Sequence, residues 1–130
     1  MPKFGKRSLE IISGLDSRLE RVLWKAIEIY DFAVLSGYRL KEEQDNLFRN
    51  GLSKKKYPGS RHNQWPSCAV DIAPYPIDWD DLERFYFLAG VIRACANLCK
   101  TEIRWGGDWD SDGDLHDQSF MDLGHFELEG

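Results

Sequence analysis

Histidine and cysteine are scarce in this chain, with three of each among 130 residues. Cys68, Cys95 and Cys99 are odd in number and show no C-x-x-C spacing, which argues against a disulfide framework and against a thiolate-bound metal. Cys95 and Cys99 fall one helical turn apart and read as core or near-core thiols. Long hydrophobic runs are missing too. The longest, Phe85 to Ile92, stops at Arg93 after eight residues, too short to span a membrane. The opening MPKFGKRSLE has basic residues but no apolar stretch behind them, so no signal peptide and no membrane insertion are expected. Basic residues are absent from Trp105 onward, where eight acidic residues fall. The rest of the chain carries 17 basic against 14 acidic residues, so the net charge of -5 hides a slightly basic body and an acidic end. An acidic end suits a cation; a basic body suits an anionic surface. Lys54-Lys55-Lys56 is a short run in an acidic chain, which gives a nucleic-acid partner little support.

What is present is enough for one core. A 42 % hydrophobic and 13 % aromatic content at this length predicts a single domain over residues 1–130. Ser17 to Glu20 reads as a capping box, and Leu19, Val22, Leu23, Ala26 and Ile27 recur at helical spacing behind it. Phe32 to Leu35 has the length of a buried strand, ended by the turn chemistry of Ser36-Gly37. Lys41 to Arg49 is built of helix formers and stops at Asn50-Gly51. Residues 51–67 hold prolines, glycines and no apolar period, so they predict a long loop, a feature that often carries function. Cys68 to Ala73 is strand-like and ends at the prolines that follow. Asp80 with Glu83 then caps a helix whose apolar stripe is Leu82, Phe85, Ala89, Ile92, Ala96 and Cys99. Thr101 to Trp105 and the closing GHFEL predict two more strands. In GHFEL the period of two sends His125 and Glu127 to one face and Phe126 and Leu128 to the other. Helices flanking a few short strands make an α+β domain.

The stretch SRHNQWPSCAVD, residues 60–71, sets His62 and Asp71 nine positions apart. With His125 on the polar face of the last strand they form a candidate His-Asp-His set. A catalytic zinc asks for three nitrogen or oxygen ligands and one open position. Such a site also needs a base, and Asp122, three residues before His125, comes within reach if the chain turns at Leu123-Gly124. Glu127, on the same strand face as His125, is the competing base and suits a partner that orients a ligand. His116 is a rival third ligand. A satisfied polar pair or a solvated surface explains a loop histidine near a strand aspartate as well, and Asp122 equally suits a turn.

These residues resemble a known family, the bacterial cell-wall zinc peptidases that include D-alanyl-D-alanine carboxypeptidases and dipeptidases and the phage L-alanyl-D-glutamate endolysins. The likeness rests on Ser60-Arg61-His62, Ala69-Val70-Asp71 and Asp122-Leu123-Gly124-His125, with SGYR, Gln44, WGGDW and HFEL in the same order along the chain. It implies helices packed on a short antiparallel sheet, of the zinc DD-peptidase or hedgehog type. It further implies zinc on His62, Asp71 and His125, with Asp122 as general acid and base. Arg39 would stabilise an oxyanion or grip a substrate carboxylate, or else form a surface salt bridge. Ser60 and Gln44 would touch substrate. The His62 to Asp71 spacer is two residues longer than the commonest family form and carries Trp65, which either stacks on the sugar or peptide of the substrate or anchors the loop. The likeness points to a phage or prophage endolysin cutting the L-alanyl-D-glutamate bond of peptidoglycan. Its expected form is a monomer that accumulates in the host cytoplasm and reaches the wall after the membrane is permeabilised. The alternatives are a D-alanyl-D-alanine carboxypeptidase or dipeptidase, and a non-catalytic, metal-stabilised wall-binding or virion domain.

DWDSDGD, from Asp108 to Asp114, places Asp108, Asp110, Asp112 and Asp114 at positions one, three, five and seven of a calcium loop, with Gly113 at six. Ser119 stands at position twelve, where a glutamate normally completes the cage. The alternatives are a weak calcium site and a solvated acidic turn.

Overall fold

A computed structural model describes residues 2–108 and 122–129. Helix α1 spans Lys6–Ile12, α2 Ser17–Ile27, α3 Lys41–Arg49 and α4 Leu82–Leu98. The strands are β1 Phe32–Ser36, β2 Ala69–Pro74, β3 Ile103–Gly106 and β4 Asp122–Leu128. They form one antiparallel sheet in the order β1-β2-β4-β3. Among the described residues no helix is long and apolar enough to cross a membrane.

The sheet divides its residues by parity. Val70 and Ile72 of β2 and Phe126 and Leu128 of β4 join a core built with α2 and α4. Asp71, His125 and Glu127 take the alternate positions, which in a pleated strand point to the opposite face. On α2 the five residues of the expected apolar stripe are all buried. Its cap, however, is Asp16, whose carboxylate accepts the Arg18 backbone N–H at 2.9 Å, so the helix begins one residue after a better anionic acceptor than Ser17. Helix α4 departs more. Its N-cap is Asp81, which makes no side-chain cap bond, and Leu82 is exposed while Leu88 and Cys95 complete the buried stripe.

Helix α1 lies in a stretch for which the sequence pattern gave no signal. Of its seven residues only Ser8 and Ile12 are buried, too few for a detectable period. It is tied down by Ser8, whose hydroxyl accepts the Val34 backbone N–H at 3.0 Å. β4 corrects the turn expected at Leu123-Gly124. The strand already begins at Asp122, and Gly124 is opposite Ile72, where an added Cβ would collide with the Ile72 carbonyl. The glycine permits close approach of β2 and β4 and makes no turn.

Candidate metal centre

The central strands bring two of the three expected ligands face to face, because Asp71 of β2 and His125 of β4 are register partners. The third arrives from the long loop. There Ser60 caps a 3₁₀ turn, Arg61–Asn63, by accepting the His62 backbone N–H while Asn63 returns a bond to the Ser60 backbone. The turn is fastened to the segment after β1, where the Arg39 backbone N–H donates to the His62 carbonyl at 2.8 Å. His62 is buried and enters beneath the sheet face.

His62 Nε2 lies 3.3 Å from His125 Nδ1. Asp71 reaches both, with Oδ1 3.0 Å from His125 Nδ1 and Oδ2 3.3 Å from His62 Nε2. Four-coordinate zinc with bonds of about 2.0–2.1 Å has its donors about 3.3 Å apart. Each histidine nitrogen is met by a different Asp71 oxygen; with one donor atom taken from each residue the three lie within 4.8 Å of one another, a pair of imidazoles and a carboxylate that suit zinc in ligand type, and the side chains form a candidate metal site.

Each donor is held from behind. His62 Nδ1 is 2.7 Å from the Gly37 carbonyl, an acceptor that places the proton on Nδ1 and leaves Nε2 free as a ligand. His125 Nε2 is 2.8 Å from Glu127 Oε1, and Glu127 is itself flanked at 3.8 Å by Arg61 and Arg104. Arg39 donates to Asp71 Oδ2 at 2.7 Å. The Arg39 guanidinium also bonds Ser36 and Gln44.

The electrostatics follow from this packing. Burial pushes the Asp71 carboxyl up, but hydrogen bonds with His125 and His62 outweigh it and hold the group well below the usual carboxylate range. Burial opposes charge on His125, yet its bonds to Asp71 and Glu127 prevail and push its pKa up to about 9. Asp122 keeps exposed surface, while the protein packed around its carboxyl and then the Asp71 charge raise its pKa above the ordinary value.

The other expected site residues are dispersed in role. Gln44 is fully buried and holds Arg39, Ser53 Oγ and the Lys55 carbonyl, so it braces the loop and offers no surface to a substrate. Ser60 is likewise buried and is spent on the turn that carries His62. Trp65 is exposed beside Tyr38. Asp108 is buried behind β3, its backbone N–H bonded to the Trp105 carbonyl. Asp110, Asp112, Asp114 and the rival ligand His116 lie outside the described residues, so the calcium reading rests on sequence alone. Gly37, Ser36 and Asn63 were missed as site residues. The SGYR motif was the available signal for the first two, since a glycine beside a strand end supplies an unobstructed carbonyl.

A small α+β domain with a buried His-Asp-His donor set on one face of its sheet defines the class, a candidate mononuclear metal protein. The sequence profile of the phage L-alanyl-D-glutamate peptidases matches residues 1–129, and the chain belongs to that family. It is 34 % identical to the L-alanyl-D-glutamate peptidase of Escherichia phage T5, with 97 % of each chain covered. It also resembles the crystal structure of the Serratia marcescens L-Ala D-Glu endopeptidase ChiX, with a TM-score of 0.78 and 27 % identity over 98 % of this chain and 91 % of that one.

Proposed function

We propose that this protein is a zinc-dependent peptidoglycan endopeptidase, a single peptidase domain that cuts the bond between L-alanine and D-glutamate in the stem peptide. The observation that carries the reading is the convergence of His62 Nε2, His125 Nδ1 and the Asp71 carboxylate, whose closest contacts with one another are 3.0–3.3 Å. His62, Asp71 and His125 would hold the zinc ion, which would supply Lewis acidity and lower the pKa of water toward neutrality.

The chain's own groups do the rest. Gly37 and Glu127 fix the tautomers and ring planes of the two histidines. Arg39 holds Asp71 by one oxygen and keeps that carboxylate from rotating away. Asp122, with its raised pKa, takes the proton of the attacking water on its carboxylate and returns it to the glutamate nitrogen as the amide bond breaks. Water and the peptide are consumed; an alanine carboxyl and a glutamate amine are formed. Acting as a monomeric phage endolysin, the protein reaches the wall from the host cytoplasm once the membrane is permeabilised.

Mass spectrometry of bacterial wall digested with the purified protein tests this. New alanine carboxyl and glutamate amino ends, lost on chelation and restored by zinc, are the expected result. Free D-alanine would move the cut to the end of the stem, and no soluble product would end the peptidase reading.

A further inference from the structure

Trp65 sits in the extended spacer between two metal-site residues and is 69 % exposed, yet it is held on two sides. Its ring meets Tyr38 edge-on, with centroids 5.0 Å apart. On another side the indole lies on Gly14, where an added Cβ would come within 3.2 Å of the ring. Trp65 and Tyr38 both reach solvent, and together they present ring surface beside the loop that carries His62, the amphipathic kind of side chain that suits a ligand with one apolar and one polar side. The two rings line a groove of about 290 Å³ whose lining also includes Arg7, Glu10 and Glu43.

The groove shares two residues with the support of the metal site. Gly37 and Ser36 belong to its lining, and these same residues accept from His62 and Arg39. It therefore lies behind His62. Behind His125 cations slightly outnumber carboxylates: Arg61 and Arg104 bracket Glu127, Arg104 also reaches Glu129, and the Lys55 charge is felt at Glu127 as well.

The substrate class of the preceding section is asymmetric in the same sense, and this inference rests on that reading. On the alanine side, one residue and a lactyl group, together about 7 Å when extended, separate the scissile bond from an amino sugar. The sugar offers an apolar C–H face ringed by hydroxyl and amide groups. On the glutamate side the peptide carries free carboxylates. A groove with two carboxylates and one guanidinium disfavours the anionic side, whereas aromatic faces among polar side chains suit a pyranose ring.

We propose that the Trp65 and Tyr38 groove binds the N-acetylmuramic acid sugar of the glycan strand. This orients the stem with its anionic portion toward Arg61 and Arg104. Trp65 is then a specificity residue, and the enzyme reads glycan as well as peptide.

The test uses two substrates with the same stem peptide, one attached to N-acetylmuramic acid and one capped by acetyl. The full chain loaded with zinc is expected to favour the sugar-bearing substrate in kcat/KM by about tenfold, the scale of one aromatic stacking contact. In Trp65→Ala and Tyr38→Ala that ratio falls toward one, and Trp65→Phe keeps most of it, which separates lost stacking from a damaged fold. The indole N–H resonance of Trp65, assigned from its loss in the variant, shifts saturably when the peptide-free disaccharide is added. A ratio near one in the wild type, a ratio unmoved by Trp65→Ala, or an unshifted resonance overturns the sugar site alone. A wild type that cuts neither substrate overturns the peptidase reading and this orientation with it.

Discussion

The two faces of β4 are one residue apart in sequence and opposite in physics. Phe126 and Leu128 lie in an apolar core under α4, where stabilisation grows with area removed from water and neighbours of similar volume can substitute. His125 and Glu127 lie on the other face in a chain of directed bonds, from Asp71 through His125 to Glu127. Geometry decides there, and a displacement that a core tolerates would part the donors. The strand transmits the stability of one face into the precision of the other. That is why a catalytic constellation built on central strands is better held than one built on loops.

The largest expected break in this comparison comes from Asp122. Asp122→Asn should lower kcat by about 10²–10⁴ while zinc content stays at wild-type level, since the residue makes no part of the donor triangle. Equal loss of metal and turnover would return Asp122 to a structural role. On the core face, Phe126→Ala should cost about 3–5 kcal/mol in denaturant unfolding. At temperatures where the variant remains folded it should still bind zinc, with weaker affinity. On the polar face, Glu127→Gln should weaken zinc binding by about 10–100-fold and leave unfolding of the metal-free protein less affected than Phe126→Ala does. Equilibrium dialysis and urea titration of both variants separate the two faces.

The smallest and most graded effect is with pH. In the metal-free protein His125 is held protonated, its pKa raised from 6.5 to about 9. Its contribution to stability is therefore fully present below pH 6.5 and is lost as pH rises through about 9. Zinc must displace that proton, so metal affinity should rise with pH across the same window and level off above it. A flat affinity profile between pH 6.5 and 9 would show that His125 gives up no proton to the metal.

How much of this was legible in the sequence depended on the range of the interactions. Strict periods of 3.6 and 2 located α2, α4 and the parity of β4, and helix-forming residues with an Asn-Gly stop located α3, because those patterns need only local residues. The three donors were found from residue type and motif order, and Glu127 from its position two residues beyond His125. Helix α1 was invisible because its support is a side-chain bond to Val34, 26 residues away. Gln44 and Ser60 were expected to touch substrate. Gln44 is buried against the loop whose Ser53 and Lys55 it bonds, and Ser60 is spent within that loop on the turn that carries His62; a polar residue in a motif looks the same whether it binds a ligand or braces the loop. Gly124 was read as a turn former, since the close approach of Ile72 that requires it is a contact across strands.

Anomalous diffraction at the zinc edge from crystals of the zinc-loaded protein tests the central claim most directly. A single strong peak about 2.0–2.2 Å from His62 Nε2, His125 Nδ1 and an Asp71 oxygen is the expected result. A peak seated elsewhere, on His116 or within the Asp108 to Asp114 stretch, with the three side chains left as a hydrogen-bonded cluster, would contradict it.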